Sequence, residues 1–423
     1  MLRSVIFCSL FIFIRFFDFQ SIEASEPDTI YSNTIKSVLF TRSGNLLSYP
    51  VIDLNNGEKA TLQFDLLNEQ EKTFYYILVH CNMYWERDSL QPIEYIDGFE
   101  VNRIKNQSAS ILSILPYIHY TLPIPNDDIR LKISGNYLLC IYEDEEKTKP
   151  VMQKRLFVCE TKSEIQATAR RATLPVYADT KQEIDAEVTL YERKVNDPEN
   201  ELRLLIIQNF RPDMYVEVKP KFIRGNIISY NHEEGNLFNG GNEFRHFNSK
   251  NLRVPLENID LIDYQAPYYH FLLKPESDRT FTGYTYGQDI NGKYYIDADL
   301  RNSPALMADY VYVHFTLPYD VPLIDGTVHI LGAMSNWKCN EKNQMTYDFE
   351  TKAYIGSMLL KQGYYNYHFA LRDKLTGAID TGFFEGNSYQ TENDYVLLLY
   401  ERVSGALYDR LIGRAVVNTI KPL

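Results

Sequence analysis

The chain has 423 residues, enough for roughly two or three domains that each bury a core of their own. Its formal net charge is −13, from 43 basic and 56 acidic residues, which argues against DNA or an anionic lipid surface as a partner. Tyr, Phe and Trp make up 14% of the chain and favour β-strands, because their rings pack well on a pleated surface.

The N-terminal segment is typical of an export signal. Arg3 precedes a run rich in Phe, Ile and Leu, and Ala24 and Ser25 are small enough for a signal-peptidase site. The run is shorter than the roughly 20 apolar residues of a membrane-spanning helix, and no later segment approaches that length. We therefore predict a signal peptide at residues 1–24 and an exported chain that does not insert into the membrane.

The remaining cysteines are too few and too scattered for a disulfide scaffold. If the two apolar runs on either side of the EDEEKT turn pair with each other, Cys140 lies near Gln153 and not near Cys159. We expect buried free thiols at Cys81, Cys140, Cys159 and Cys339.

Residues 25–160 contain strand-like runs separated by turns. In TFYYILVHC, at residues 73–81, both faces are apolar, which predicts a central strand covered on each side. The acidic residues at 143–146 lie between two such runs, which favours a solvated hairpin tip over a metal site. This block is predicted to form one antiparallel β-sandwich.

A middle β domain is predicted at residues 182–318, after a linker at 161–181 that lacks strand periodicity. The domain ends with DYVYVHFTL. Strict alternation in this run places Val311, Val313 and Phe315 on one face of a strand.

The last block, residues 319–423, is predicted to be a small immunoglobulin-like sandwich. It contains the aromatic row LKQGYYNYHF at 360–369, in which alternate side chains point to opposite faces of a strand. Those predicted to face the core are Tyr365, Tyr367 and Phe369, and those predicted to face solvent are Tyr364, Asn366 and His368. The predicted fold class is therefore all-β, with antiparallel immunoglobulin-like sandwiches in tandem.

This last block resembles the sandwich modules that bind starch and glycogen. The shared elements are Gly332, Asn336 with Trp337, Met345, and Gly363 with Tyr365. Sugar binding on such modules usually needs more than one aromatic face, and Trp337 is the only Trp in the block. The resemblance indicates a fold more than a ligand, and an envelope glycan-binding protein is the alternative function.

Two polar stretches are candidates for a special role. The first is GNEFRHF, which includes Asn242. Its Glu243 and Arg245 lie on the same side of an extended chain, so we predict a buried or half-buried ion pair that fixes a loop. QDINGKYYID, at residues 288–297, lacks the later ligands of a calcium loop, and its Asn-Gly predicts a hairpin turn. Because HExxH, GxSxG and P-loop spacings are missing from the sequence, we expect no enzyme, cofactor or metal site.

Taken in order, several pieces of the sequence resemble the plug protein family of the type IX secretion system. They are SYPVIDLN at 48–55, HCNMYW at 80–85, EYIDGF at 94–99, HYTLPIPNDDIRLKISGNYLL at 119–139, QNFRPD at 208–213, GNEFRHF at 241–247, LKQGYYNY at 360–367, EGNSYQTENDY at 385–395 and DRLIG at 409–413.

The resemblance implies a non-catalytic periplasmic protein. Such a protein would close the inner mouth of a large outer-membrane translocation barrel when the barrel's shuttle subunit is absent, and it would associate with the outer membrane through that barrel. The motifs themselves give no contact residues. Trp337 and Tyr364 are candidate partner contacts, because Trp and Tyr dominate the energetics of protein interfaces.

Overall fold

A computed structural model describes residues 28–67, 70–191, 195–299 and 302–420 of the chain. The predicted signal peptide at 1–24 therefore lies outside the described residues. Helices in the described part of the chain are single turns, located at Pro92–Tyr95 (α1), Pro198–Glu201 (α2), Pro304–Met307 (α3) and Gly382–Glu385 (α4), with 3-10 turns at Pro175–Tyr177 and Ala333–Ser335.

Strands dominate the described part of the chain, as the aromatic and alternating composition predicts. The strands up to residue 160 are β1 (Thr29–Ile30), β2 (Ile35–Arg42), β3 (Val51–Asp53), β4 (Ala60–Leu67), β5 (Tyr75–Cys81), β6 (Ile96–Gly98), β7 (Asn102–Arg103), β8 (Asn106–Ala109), β9 (Tyr117–Ile124), β10 (Ile129–Leu131), β11 (Gly135–Tyr142) and β12 (Pro150–Cys159).

The remaining strands lie after residue 160. They are β13 (Ser163–Arg171), β14 (Lys181–Leu190), β15 (Leu202–Gln208), β16 (Tyr215–Val218), β17 (Phe222–Arg224), β18 (Ile227–Ser229), β19 (Leu237–Asn239), β20 (Arg245–Asn248), β21 (Ile259–Gln265), β22 (Tyr268–Leu273), β23 (Tyr294–Ile296), β24 (Tyr310–Pro318), β25 (Gly326–Leu331), β26 (Thr346–Asp348), β27 (Ala353–Lys361), β28 (Gly363–Asp373), β29 (Ile379–Asp380), β30 (Asp394–Glu401) and β31 (Arg410–Asn418).

These strands form three sandwiches, each built from two facing sheets. Sandwich I pairs the sheet β1–β12–β11–β5–β7, with β3 beside β12, against the sheet β2–β4–β9–β8. Sandwich II pairs β13–β14–β18–β17, with β19 beside β14, against β16–β15–β30–β31. In sandwich III, β20, β23, β25 and β29 pair with the long strand β28, and they face β21–β22–β24–β27–β26. The predicted all-β class with tandem sandwiches is confirmed.

Sandwiches I and II share an apolar interface, because one sheet of each is covered on both faces. Residues of β5, β11 and β12 contact residues of β15, β30 and β31 in a single buried cluster that includes Ile77, Phe157 and Leu398. All eight residues of β11 are buried. The two-sided apolar pattern of 73–81 therefore has the cause that the sequence predicts, a strand covered on each side.

The predicted division of the chain after residue 160 differs from the strand pairing. Residues 161–181 are not a strand-free linker, because β13 occupies part of them and pairs antiparallel with β14 along its whole length. Two of the inward positions in β13 are Ala167 and Ala169, which explains why the apolar alternation is weak in the sequence. The pairing also crosses the predicted 318/319 boundary, because β24 pairs with β27, while β30 pairs with β15.

The aromatic row in β28 is confirmed on one face and wrong on the other. Tyr365, Tyr367 and Phe369 are buried in the core of sandwich III. Asn366 and His368 are buried as well, because Phe244 stacks on the His368 ring with centroids 3.9 Å apart and Asn366 Oδ1 accepts a 2.7 Å hydrogen bond from the Ile290 backbone N–H. The predicted solvent face is thus covered at these two positions, whereas Tyr364 is half-buried.

Candidate functional site

The predicted ion pair between Glu243 and Arg245 does not form, although both side chains are buried. Arg245 Nε donates to Glu385 Oε1 over 3.0 Å, and its Nη1 donates to Glu276 Oε2 over 2.8 Å. Glu243 instead accepts hydrogen bonds from the Tyr284 hydroxyl and from the Glu392 backbone N–H. The pairing prediction is wrong because α4 brings a distant carboxylate directly against the guanidinium.

Glu385 is the centre of this buried network. It binds Arg245 and Arg279, accepts a 2.9 Å hydrogen bond from the Phe369 backbone N–H, and its own carbonyl accepts from Asn242 Nδ2 over 2.8 Å. Burial by itself would raise the pKa of Glu385, but the two guanidiniums outweigh burial and lower the pKa to about 2. Within sandwich III, the network joins α4 to β20, to β28 and to the segment 276–279.

Trp337, a predicted partner contact, is only 8% exposed. The Arg211 guanidinium lies 4.8 Å from the centre of its ring, and Phe244 packs edge-on against it. A Cβ at Gly292 would lie 2.3 Å from the Trp337 Cη2 atom, so the indole occupies a tightly filled site. The predicted role of Trp337 as a partner contact requires an exposed side chain, and its buried position contradicts that expectation.

Tyr364, the second predicted contact, is half-buried on the outer face of β28. Its ring stacks on His246 and on Tyr295, with centroids 5.5 and 5.7 Å apart. Tyr364 thus belongs to an aromatic row on the sheet surface, and its contact with a partner stays a prediction.

The other motifs from the sequence have structural explanations. Asp289 accepts hydrogen bonds from the backbone N–H groups of Phe244 and Asn291, and Asn291 and Gly292 have the positive φ angles of a tight turn. Burial raises the pKa of Asp289 to about 7. Over the described ranges, no group of three His, Cys, Asp or Glu side chains is arranged to hold a metal ion.

The prediction of buried free thiols is confirmed for three of the four cysteines. Cys81, Cys140 and Cys159 are free and buried, and Cys339 is free and half-buried. Cys140 is opposite Gln153 in the β11–β12 pairing. Burial raises the pKa of Cys81 and of Cys159 to about 12, which disfavours the thiolate form of both residues.

A buried charge cluster joins sandwich I to sandwich III. Asp65 on β4 accepts from Lys361 Nζ over 2.6 Å and from the Tyr310 hydroxyl over 2.7 Å at its Oδ2. Its Oδ1 lies 2.7 Å from His119 Nδ1. Both charged partners are 1% exposed, so the two sandwiches are held together by a fully desolvated ion pair.

The three sandwiches also meet around a cleft of about 650 Å³. Both Trp residues of the chain, Trp85 and Trp337, contribute to its wall, together with the guanidinium-bearing residues Arg155, Arg211 and Arg372. Arg155 is paired with Asp28, and Arg211 with the nearby Asp213. The cleft therefore marks the junction of the three sandwiches.

Sequence reasoning missed Glu385, Asp65 and Lys361, whose side chains are each 1% exposed and form buried ion pairs. Their partners lie 140 and 296 positions away along the chain. The nearest local signal is an isolated charge inside an apolar run, as with Asp65 in ATLQFDLL. Such a charge indicates that a partner exists without identifying it.

No helix in the described part of the chain is long and apolar enough to cross a membrane.

Comparisons with known proteins give the family. Residues 35–160 match the model for the first domain of the type 9 secretion system plug protein. A crystal structure of a hypothetical protein from Parabacteroides merdae is 34% identical and has a TM-score of 0.89, with 92% of this chain and 98% of that chain covered.

Two further comparisons add nothing to this relationship. Dimeric latent PorU from Porphyromonas gingivalis is 11% identical over 91% of this chain and 34% of that one, and its TM-score of 0.14 is too low to support an argument. No curated protein matches the chain. The family model and the full-length structural relative, together with the tandem sandwiches, show that this chain belongs to the type IX secretion system plug protein family.

Proposed function

We propose that this protein is a non-catalytic periplasmic subunit that closes the periplasmic opening of the type IX outer-membrane translocon when the shuttle subunit is absent. Membership of the plug family carries the proposal. In this proposal the partner is the translocon barrel, and the protein associates with the outer membrane only through it.

The architecture supports closure by bulk. Sandwiches I and II share a continuous apolar interface, and the Asp65–Lys361 pair attaches sandwich III to sandwich I. Three sandwiches joined in this way resist bending relative to one another. A protein that blocks a wide protein-conducting pore requires such rigidity. Blocking needs a broad reversible interface and no bond-making chemistry. The buried polar networks around Glu385 and Asp65 agree with this, because they stabilise the fold.

The proposal predicts that the tagged protein, purified from its native envelope in mild detergent, brings the translocon barrel with it. Recovery of the barrel should increase in cells that lack the shuttle subunit, because more barrels are then available for closure. The readout is the ratio of barrel to plug by quantitative mass spectrometry. Equal recovery with and without the shuttle subunit would contradict gating, and absence of the barrel from both samples would contradict the partnership.

The alternative glycan-binding function loses its main support, because the indole of Trp337 is buried under Arg211 and against Phe244. A pyranose ring cannot stack on this face without displacing packed side chains. We expect no retention of the protein on an α-glucan column. Retention that Trp337→Ala abolishes, in a variant that remains folded by circular dichroism, would restore the glycan-binding interpretation.

A further inference from the structure

Three connections of sandwich III converge at one end of the sandwich. The connection 319–325 follows β24 and precedes β25, the turn 349–352 joins β26 to β27, and the turn 374–378 joins β28 to β29. Strand pairing brings their ends together, because Pro318 is opposite Ala353. At the other end of the first connection, Gly326 is opposite Asp373.

Hydrogen bonds hold these connections against one another. The Tyr319 backbone N–H donates to the Lys352 carbonyl over 3.0 Å, and the Lys374 backbone N–H donates to the Asp325 carbonyl over 2.9 Å. The hydroxyl of Tyr347, next to the second turn, donates to the Tyr319 carbonyl over 3.0 Å. The three connections therefore form one ordered surface.

Each of these connections exposes large apolar side chains. Val321 is 65% exposed and Ile324 is 81% exposed in the first connection, Phe349 is 76% exposed in the second, and Leu375 is 93% exposed in the third. We call these four residues the apolar tip. Single exposed apolar residues are ordinary, but a group of them on adjacent connections marks an interaction site.

Acidic residues surround the apolar tip. The three connections and the strand ends next to them carry five carboxylates, at Asp320, Asp325, Asp348, Glu350 and Asp373, against three cationic side chains, at Lys352, Lys374 and Arg372, the last of which lies beside the third turn. A surface that inserts into an anionic membrane carries Lys and Arg around its apolar residues, which is the opposite arrangement. The charge pattern instead suits a protein whose apolar pocket has a basic rim.

We propose that the apolar tip is a docking surface for a partner protein whose binding site is an apolar pocket rimmed by Lys and Arg. Resting on the proposed function, the partner is the periplasmic side of the translocon barrel. Loops at the end of a sandwich are well suited to this role, because the sheets behind them hold the contact residues in fixed positions. Sandwich III then provides the contact and the rest of the molecule provides the bulk.

The test is co-purification of the barrel with a Phe349→Ser, Leu375→Ser double variant of the full chain. Loss of two of the four apolar side chains is expected to reduce barrel recovery by roughly tenfold or more, because a few large apolar side chains usually carry most of the binding energy of an interface. The matched control is Phe222→Ser with Val176→Ser, two residues of sandwich II that are 64% and 79% exposed, and its recovery should equal that of the wild type. Thermal unfolding should be unchanged in both variants.

The outcomes separate this inference from the proposed function. If the wild type recovers no barrel, the proposed function fails, and the docking inference that rests on it fails too. If wild type and double variant recover the barrel equally, only the apolar tip is excluded as the docking surface. Tip-dependent self-association in light scattering, or tip-dependent cosedimentation with vesicles of anionic phospholipid, would overturn the proposed occupant.

Discussion

Replacement of Glu385 by glutamine is expected to lower the free energy of unfolding by about 3–5 kcal/mol, because it removes the buried carboxylate and leaves Glu276 as the counter-charge of the buried Arg245 guanidinium. Arg245 is 1% exposed and Glu385 is its buried partner. Glutamine keeps the size of the side chain but offers one acceptor oxygen, whereas the carboxylate binds two guanidiniums and the Phe369 backbone N–H. Equilibrium unfolding in urea, monitored by circular dichroism, measures the difference.

The same variant should change how stability depends on acidity. The pKa of Glu385 is lowered from its ordinary value of 4.5 to about 2 in the folded protein. A depressed carboxyl pKa contributes stability that is fully present above about pH 4.5 and is lost as the pH falls toward 2. The wild type should therefore lose this contribution over that interval, and the difference between wild type and Glu385→Gln should shrink there.

A matched control for the acid effect is Glu350→Gln, which removes an exposed carboxyl from the 349–352 turn. We expect its stability to follow that of the wild type at each pH within about 0.5 kcal/mol, because substitutions away from buried networks have small effects. If the Glu385→Gln difference were the same at pH 3 as at pH 7, the depressed pKa would be contradicted. If Glu385→Gln were as stable as the control at pH 7, the buried network would be contradicted.

Much of the fold could be predicted from the sequence because strand periodicity is a local signal. The inward direction of Tyr365, Tyr367 and Phe369 follows from alternation alone, and burial of these residues confirms it. The two-sided apolar run at 73–81 likewise predicts a strand with a layer on each face, and the second layer is sandwich II. What such a run does not specify is which part of the chain supplies the covering layer.

The rest depends on contacts between distant parts of the chain. His368 and Asn366 alternate outward correctly, yet the segment with Phe244 covers one and the turn at Ile290 covers the other. Glu243 and Arg245 have the spacing of a pair, but α4 provides a closer carboxylate. The apolar tip arises only when three connections meet at one end of a sandwich, so its residues look like unrelated single positions in the sequence.

Replacement of Asp65 by alanine is expected to be as damaging as loss of Glu385, with a decrease of about 3–5 kcal/mol in the free energy of unfolding. Lys361 would then be a buried cation, because its ammonium keeps only the Ala305 carbonyl as a hydrogen-bond acceptor. Burial lowers the pKa of Lys361 while Asp65 opposes that effect, so the variant ammonium should lose its proton more readily. Urea unfolding of the variant at neutral pH measures the loss of stability. Comparison with unfolding at pH 9 measures how readily the Lys361 ammonium loses its proton.

A double variant tests whether the cluster stabilises the molecule through charge pairing or only fills space. In Asp65→Ala, Lys361→Met no buried charge is left unpaired, so part of the lost stability should return, although His119 and Tyr310 still lack their acceptor. If the cluster also holds sandwich I against sandwich III, limited proteolysis of Asp65→Ala should cut between the sandwiches sooner than in the double variant. Equal stability and equal cleavage of the two variants would mean that the unpaired Lys361 is not the source of the damage.

Because closure by bulk requires a body that does not bend, Asp65→Ala should also recover less translocon barrel than the wild type, even though Asp65 is buried and does not reach a partner.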